Sequence, residues 1–344
     1  MKKLCLLSFF FLLTNIVFGQ IDYSKNGQYS VNVLEFKNNS DASRNRNIPI
    51  KVHYPLENGV YPLIIISHGA GGDWDTHFAL AHHLATHGFI VFCLEHIGSN
   101  TKMLKRSIRI FKNLNDMIHD GEEVLGRPKD VSYAINQAII WNQSNESLKN
   151  KVDLQNIGVL GHSFGAFTSM VIAGMKPALD WLEPRTYFGK GLGDDMKDKR
   201  VKACIALSPQ GVGEPFFVKE SFSTLSTPLL GISGTEDKQQ GGLPPISRYN
   251  AFDYWSSNGS SNGSNIFVWL SNAHHLDFTD SEGGETHGIN SKNRKEVEKI
   301  VRATTLLYFN KYLKNDNMAL ALISNDGLKP YLSGEVNSVE VRNK

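Results

Sequence analysis

Seven short runs of β-branched and aliphatic residues punctuate the chain, at 48–54, 62–67, 89–94, 156–160, 201–208, 228–233 and 265–270. Several are apolar at nearly every position instead of alternating, which predicts strands covered on both faces. Between them, helical spacing of apolar residues predicts helices over 76–87, 129–141, 164–173 and 293–312. Strands that alternate with helices in this way form a mostly parallel sheet wrapped by helices. No internal repeat and no Pro-rich linker divides the pattern, so one domain is expected. Its loop insertions fall around 175–200 and 238–264, and the Ser, Asn and Gly stretch from Ser256 to Ser264 predicts a flexible surface loop.

The first residues follow a different pattern. Lys2 and Lys3 precede an apolar run over 4–18 that ends in Val17-Phe18-Gly19. This predicts a secretory signal peptide over 1–19, a catalytic domain over 20–344, and a secreted or periplasmic location. The run is shorter than the roughly 20 residues a spanning helix needs, so no stable membrane insertion is expected after cleavage. A composition of 41% apolar and 20% charged residues excludes disorder. Thirty-six basic against 34 acidic residues leave no field that would attract nucleic acid. Cys93 and Cys204 sit in separate strand-like runs and are expected as buried free thiols, too far apart to bridge.

The chemistry concentrates where the 156–160 run enters Gly161-His162-Ser163-Phe164-Gly165 and then an apolar helix. A G-x-S-x-G at a strand-to-helix junction is what a nucleophile elbow requires. A hydroxyl is a poor nucleophile until a base takes its proton and an acid orients that base. The acid is expected after the 228–233 strand, where Asp237 is preferred to Glu236 for its shorter reach. The base is expected after the 265–270 strand, where His275 is preferred to His274. An oxyanion needs aimed donors. The glycine-rich turn Ser67-His68-Gly69-Ala70-Gly71-Gly72 offers the N–H of Ala70, and the residue after the nucleophile offers that of Phe164.

These segments resemble the α/β-hydrolase superfamily, and within it the platelet-activating-factor acetylhydrolase and dienelactone-hydrolase-like serine esterases. The likeness is carried by Gly161 to Gly165, Ser67 to Gly72, Leu84-Ala85-Thr86-His87-Gly88-Phe89-Ile90-Val91, Glu95-His96 and His275-Leu276-Asp277-Phe278. It implies an eight-stranded, mostly parallel sheet with helices on both faces. It also implies Ser163, Asp237 and His275 as the triad, with Ala70 and Phe164 as the oxyanion hole. Phe278, three residues past His275, matches the aromatic that follows the family's histidine. Where these relatives carry Gly-Gly after the elbow, this chain has Gly165-Ala166.

The expected reaction is hydrolysis of a small-molecule or lipid carboxylic ester through an acyl-enzyme, a phospholipase-like acetylhydrolase being the alternative. It requires neither metal nor organic cofactor. Trp74, Trp181 and Trp255 are candidates for lining a substrate pocket, with plain packing as the competing reading. His77, His82, His83 and His87 share a helix. They open a metal-hydrolase alternative, but a solvated, partly packed face is preferred because no H-E-x-x-H pattern occurs. Asp194, Asp195 and Asp198, and Asp277, Asp280, Glu282 and Glu285, fit no calcium loop. Lys102, Lys105, Arg106, Arg109 and Lys112 form a basic helical stripe expected to be solvated. Glu95 and His96 are read as a structural pair supporting nearby loops. A non-catalytic binding protein on the same scaffold is the remaining alternative.

Overall fold

The computed structural model describes residues 21–239, 242–257, 264–280 and 293–344. The expected signal peptide at 1–19, the middle of the Ser256 to Ser264 stretch, and Glu282 and Glu285 lie outside the described residues. A nine-stranded sheet organises the chain: β1 (Val31–Phe36), β2 (Ile50–Pro55), β3 (Tyr61–Ser67), β4 (Ile90–Leu94), β5 (Val152–His162), β6 (Val201–Leu207), β7 (Leu229–Glu236), β8 (Ile266–His274) and β9 (Val339–Asn343), in the order β1-β2-β4-β3-β5-β6-β7-β8-β9. Pairing is parallel from β4 to β8 and antiparallel at both ends. This is the α/β-hydrolase fold in a single domain, with nine strands where eight were expected. The edge strands β1 and β9 escaped the sequence pattern because they are half-solvated, with Asn32, Glu35, Glu340 and Arg342 interrupting their apolar positions.

The central strands are apolar throughout because both faces are covered. In β3, Leu63 and Ile65 join the core beneath α4 (Gly121–Ser144) and α5 (Phe164–Ile172), while Ile64 and Ile66 join the core beneath α1 (Phe78–Thr86) and α7 (Arg294–Lys314). Helix α4 begins eight residues before the expected start. Pro128 removes one intrahelical hydrogen bond, so the pattern alone points to a start beyond it. The Asp120 side chain caps the true terminus by accepting from the N–H groups of Glu122 (2.9 Å) and Glu123 (3.3 Å). The basic stripe does not share one helix. It spans α2 (Thr101–Leu104), a non-helical turn, and α3 (Ile110–His119), and its five cations are exposed as expected. The remaining helix near the site is α6 (Ile246–Ala251).

Candidate active site

The elbow is built by steric exclusion. Ser163 holds φ 56° and ψ −114°, a conformation that L-residues rarely adopt. A Cβ at position 161 would lie 2.0 Å from the carbonyl oxygen of Gly165, and one at position 165 would lie 1.9 Å from that of Ser67. Only glycine lets β3, β5 and α5 close this tightly. The Ser163 N–H donates to Leu207 O at 2.9 Å, and Gln210 Nε2 donates to Ser163 O at 2.8 Å, so the strained backbone is tied to β6 and the loop after it.

Ser163 Oγ lies 2.9 Å from His275 Nε2, and His275 Nδ1 lies 2.7 Å from Asp237 Oδ1. A carboxylate can only accept, so Nδ1 carries the proton and Nε2 is left to accept from the serine hydroxyl. Asp237 is fully buried. Burial alone would raise its carboxyl, but the Arg248 guanidinium 3.3 Å away, His275 and the Ser233 hydroxyl (2.7 Å) together hold it well below the usual carboxylate range. Arg248, itself buried on α6, also donates to Ser208 O, Pro209 O and Asp237 O, so it orients the acid loop as well as balancing its charge. Glu236 points to solvent, and His274 is exposed. His162 donates from Nε2 to His275 O at 3.0 Å and fixes the backbone that carries the imidazole.

The turn after β3 packs directly on this group: a Cβ at Gly69 would lie 3.3 Å from Ser163 Cβ. His68 accepts at Nε2 from the His96 N–H (3.0 Å), so its proton is on Nδ1, which donates to Gly69 O at 2.6 Å. In a trans peptide the C=O and N–H are antiparallel. Pinning Gly69 O therefore sets the direction of the Ala70 N–H. Phe164 opens α5, where an N–H has no helical acceptor. Buried Arg127 touches both segments, donating to His68 O and lying 4.3 Å from the centroid of the Phe164 ring.

Behind this turn runs a second Ser-His-Asp chain. Ser67 Oγ lies 2.9 Å from His96 Nε2, and His96 Nδ1 lies 2.8 Å from Asp130 Oδ2, all three fully buried. Asp130 also receives Arg44 (2.8 Å) and Arg46 (2.9 Å). Glu95 takes no part, since its carboxylate accepts from Asn100 Nδ2 at 2.6 Å. The expected Glu95-His96 pair is therefore two separate anchors. Sequence reasoning missed Arg127, Asp130, Arg248, Gln210 and the role of His68. Three charged residues at helical spacing, Glu123, Arg127 and Asp130, on the buried face of α4 were the available signal.

Other candidates fall elsewhere. Trp255 is fully buried against Phe252 and Phe267 (5.1 and 6.0 Å between centroids), inside the core and not in an open pocket. Trp74 is half-buried with the Lys51 ammonium 5.0 Å from its ring centroid, and Trp181 is half-buried in the 175–200 segment. The helix histidines are less solvated than expected: His77 and His83 are buried, and His82 and His87 half-buried. Asp280 accepts from the N–H groups of Ala79 and Leu80 at the start of α1, and Asp198 pairs with Arg200. Cys93 and Cys204 are free and buried on β4 and β6, with β3 and β5 between them.

The fold and elbow define an α/β-hydrolase, and sequence similarity narrows the neighbourhood. A family model described as Chlorophyllase matches residues 20–180. Platelet-activating factor acetylhydrolase of Canis lupus familiaris is 32% identical over 149 residues, 35% of this chain and 34% of that protein. Cutinase est1 of Thermobifida alba is 23% identical over 227 residues, 65% and 57% of the two chains. Cutinase of Thermobifida fusca is 24% identical over 135 residues, 39% and 37% respectively. The chain thus spans between about a third and somewhat over half of these relatives' lengths. The acetylhydrolase resemblance expected from the motifs is among them.

Proposed function

We propose that the protein hydrolyses carboxylic esters by acyl transfer through Ser163. One observation carries this reading: a serine hydroxyl on a strained elbow, 2.9 Å from an imidazole whose other nitrogen is held 2.7 Å from a buried carboxylate. The ester-cleaving names of the acetylhydrolase and cutinase relatives support it. As Ser163 Oγ bonds to the ester carbonyl carbon, its proton passes to His275 Nε2. The carbonyl electrons move onto oxygen, which the N–H groups of Ala70 and Phe164 receive. Asp237 retains the Nδ1–H contact and stabilises the imidazolium without taking its proton. Collapse expels the alcohol with the proton returned by His275. Water then repeats the sequence, freeing the acid and restoring Ser163.

Exported protein is part of the same proposal, supported by the Lys2-Lys3 start and the apolar run to Gly19. Among the described residues no helix is long and apolar enough to cross a membrane. Incubation with a fluorophosphonate followed by intact-mass and peptide mapping should place one adduct on Ser163. An adduct elsewhere, or none in a protein that cleaves p-nitrophenyl acetate, would overturn the reading. A p-nitrophenyl ester series of graded acyl length then measures the depth of the acyl site.

A further inference from the structure

From Ile97 to Asn115 the chain carries five cations and no acid. The same stretch exposes Ile108 (98%), Phe111 (83%) and Ile110 (40%). Large apolar side chains this exposed, grouped on one protrusion, call for a covering partner. Arg106 and Lys112 are balanced by Asp116 (2.5 and 2.8 Å), whereas no ion pair reaches Lys102, Lys105 or Arg109 among the described residues.

The protrusion is held in shape. Asn113 is buried, and its Nδ2 donates to Leu104 O (2.8 Å) and Ser107 O (3.2 Å), while its Oδ1 accepts from Ser107 Oγ (3.0 Å). The turn before Ile108 is thus pinned from inside, and the apolar tip cannot fold back without breaking these bonds. Its base is tied to the turn beside Ser163. The Thr101 N–H donates to Gly72 O (2.9 Å), the Gly71 N–H donates to Ser99 O (2.8 Å), and the Leu104 side chain fills the space beside Gly71.

We propose that the tip formed by Ile108, Ile110 and Phe111, ringed by Lys102, Lys105 and Arg109, docks the enzyme on an anionic lipid surface, with the active-site turn brought up to that surface. Charge complementarity selects the occupant. A neutral polymer or the wall of an apolar protein groove would accept the three side chains but would leave the unpaired cations without a counter-charge. An anionic headgroup layer above acyl chains meets both needs. The docking itself does not depend on the ester-hydrolase reading. Delivery of lipid esters to Ser163 does.

The test is co-sedimentation of the full chain with vesicles of phosphatidylcholine alone and of phosphatidylcholine with roughly one phosphatidylglycerol in three lipids. Wild type and variants carry the same N-terminus, so differences report the tip alone. Binding to the mixed vesicles should exceed binding to the neutral ones by about tenfold or more and weaken with salt. It should fall by at least about tenfold in Ile108→Ser/Phe111→Ser and in Lys105→Glu/Arg109→Glu. A Phe111→Trp variant should show a blue-shifted emission only on the mixed vesicles. Equal binding to both vesicle types, unchanged binding in the variants, or no Trp shift would overturn the proposal. So would a concentration-dependent dimer abolished by Ile108→Ser/Phe111→Ser, which would make a second copy the occupant. Hydrolysis of soluble p-nitrophenyl acetate should stay within about twofold in all variants, because none touches Ser163, Asp237 or His275. Loss of that activity in wild type would instead defeat the catalytic reading.

Discussion

Ser163-His275-Asp237 and Ser67-His96-Asp130 are the same three side chains joined in the same sense at nearly the same distances: 2.9 and 2.7 Å in one, 2.9 and 2.8 Å in the other. Both acids are fully buried against arginine, and the two chains differ in what surrounds the serine and the imidazole. His275 keeps 31% of its side chain accessible and bonds a serine on a strained elbow that opens a helix. His96 is sealed, Ser67 lies within a regular strand, and Asp130 is shared with two arginines. On the proposed reading, a hydrogen-bonded Ser-His-Asp chain is not a reaction centre by itself. Access for a carbonyl and donors for its oxyanion would make the difference, and the buried copy supports the turn proposed to supply one donor.

The largest expected effect separates the two serines. Ser163→Ala should lower kcat by roughly four to six orders of magnitude while the thermal midpoint stays within a few degrees. Steady-state kinetics with p-nitrophenyl acetate and a melting curve on the same preparation read both. Near-normal turnover would end the distinction between the chains.

The acids come next. Asp237→Asn removes the partner that keeps the proton on His275 Nδ1, and a loss of roughly 10³- to 10⁴-fold in kcat is expected. Asp130→Asn leaves Arg44 and Arg46 short of a buried counter-charge, and should cost about 3–5 kcal/mol in denaturant unfolding. Turnover per folded molecule, measured well below its melting point, should remain within about tenfold of wild type. Equal losses of turnover in the two variants would make the buried chain part of the chemistry.

What the sequence could reveal divides along the same line. The Ser163 chain is legible because its parts occupy positions fixed by backbone geometry: a glycine-framed serine at a strand-to-helix junction, and an acid and a base just past later strands. The buried chain is not legible, since Ser67, His96 and Asp130 are joined only by tertiary packing and carry no mutual spacing. Pro128 further concealed the first turns of α4, which bring Arg127 to the site. The edge strands β1 and β9 were lost for a simpler reason, half-solvated strands having no continuous apolar run.

The buried imidazoles should also show themselves on pH. Burial lowers His53 and His83 to about 3 and His77 to about 4, and holds His96 and His68 well below the ordinary value. Their folded affinity for protons is weaker than in the unfolded chain. Stability is therefore fully present above about pH 6.5 and is lost as pH falls below it, by about 2 kcal/mol per site at pH 5. Melting temperature should drop steeply between pH 7 and 5. His53→Phe should flatten that slope, because neither ring nitrogen of His53 bonds any described group and the substitution removes little besides proton uptake. Parallel curves for wild type and variant would show that these sites do not set the acid limit.

The smallest effect is the most discriminating. Ser67 Oγ sits between two buried groups, giving its proton to His96 Nε2 and accepting from an Arg127 nitrogen at 3.2 Å. Ser67→Ala leaves that imidazole nitrogen without a donor in a site closed to bulk water, a cost of about 1–3 kcal/mol. Arg127 keeps His68 O and Ser99 Oγ, and His68 keeps the N–H of His96, so the turn bearing Ala70 should move little. A drop of only a few-fold in kcat is expected, with KM unchanged and fluorophosphonate labelling of Ser163 nearly as fast as in wild type. If labelling slowed as much as in the Asp237→Asn enzyme, Ser67 would have to share in activating the nucleophile. Its buried hydroxyl has no path to a substrate carbonyl, so such a result would have to act through the orientation of the Gly69–Ala70 peptide, which a His68→Asn variant, retaining a donor near Gly69 O, would reveal by restoring part of the rate.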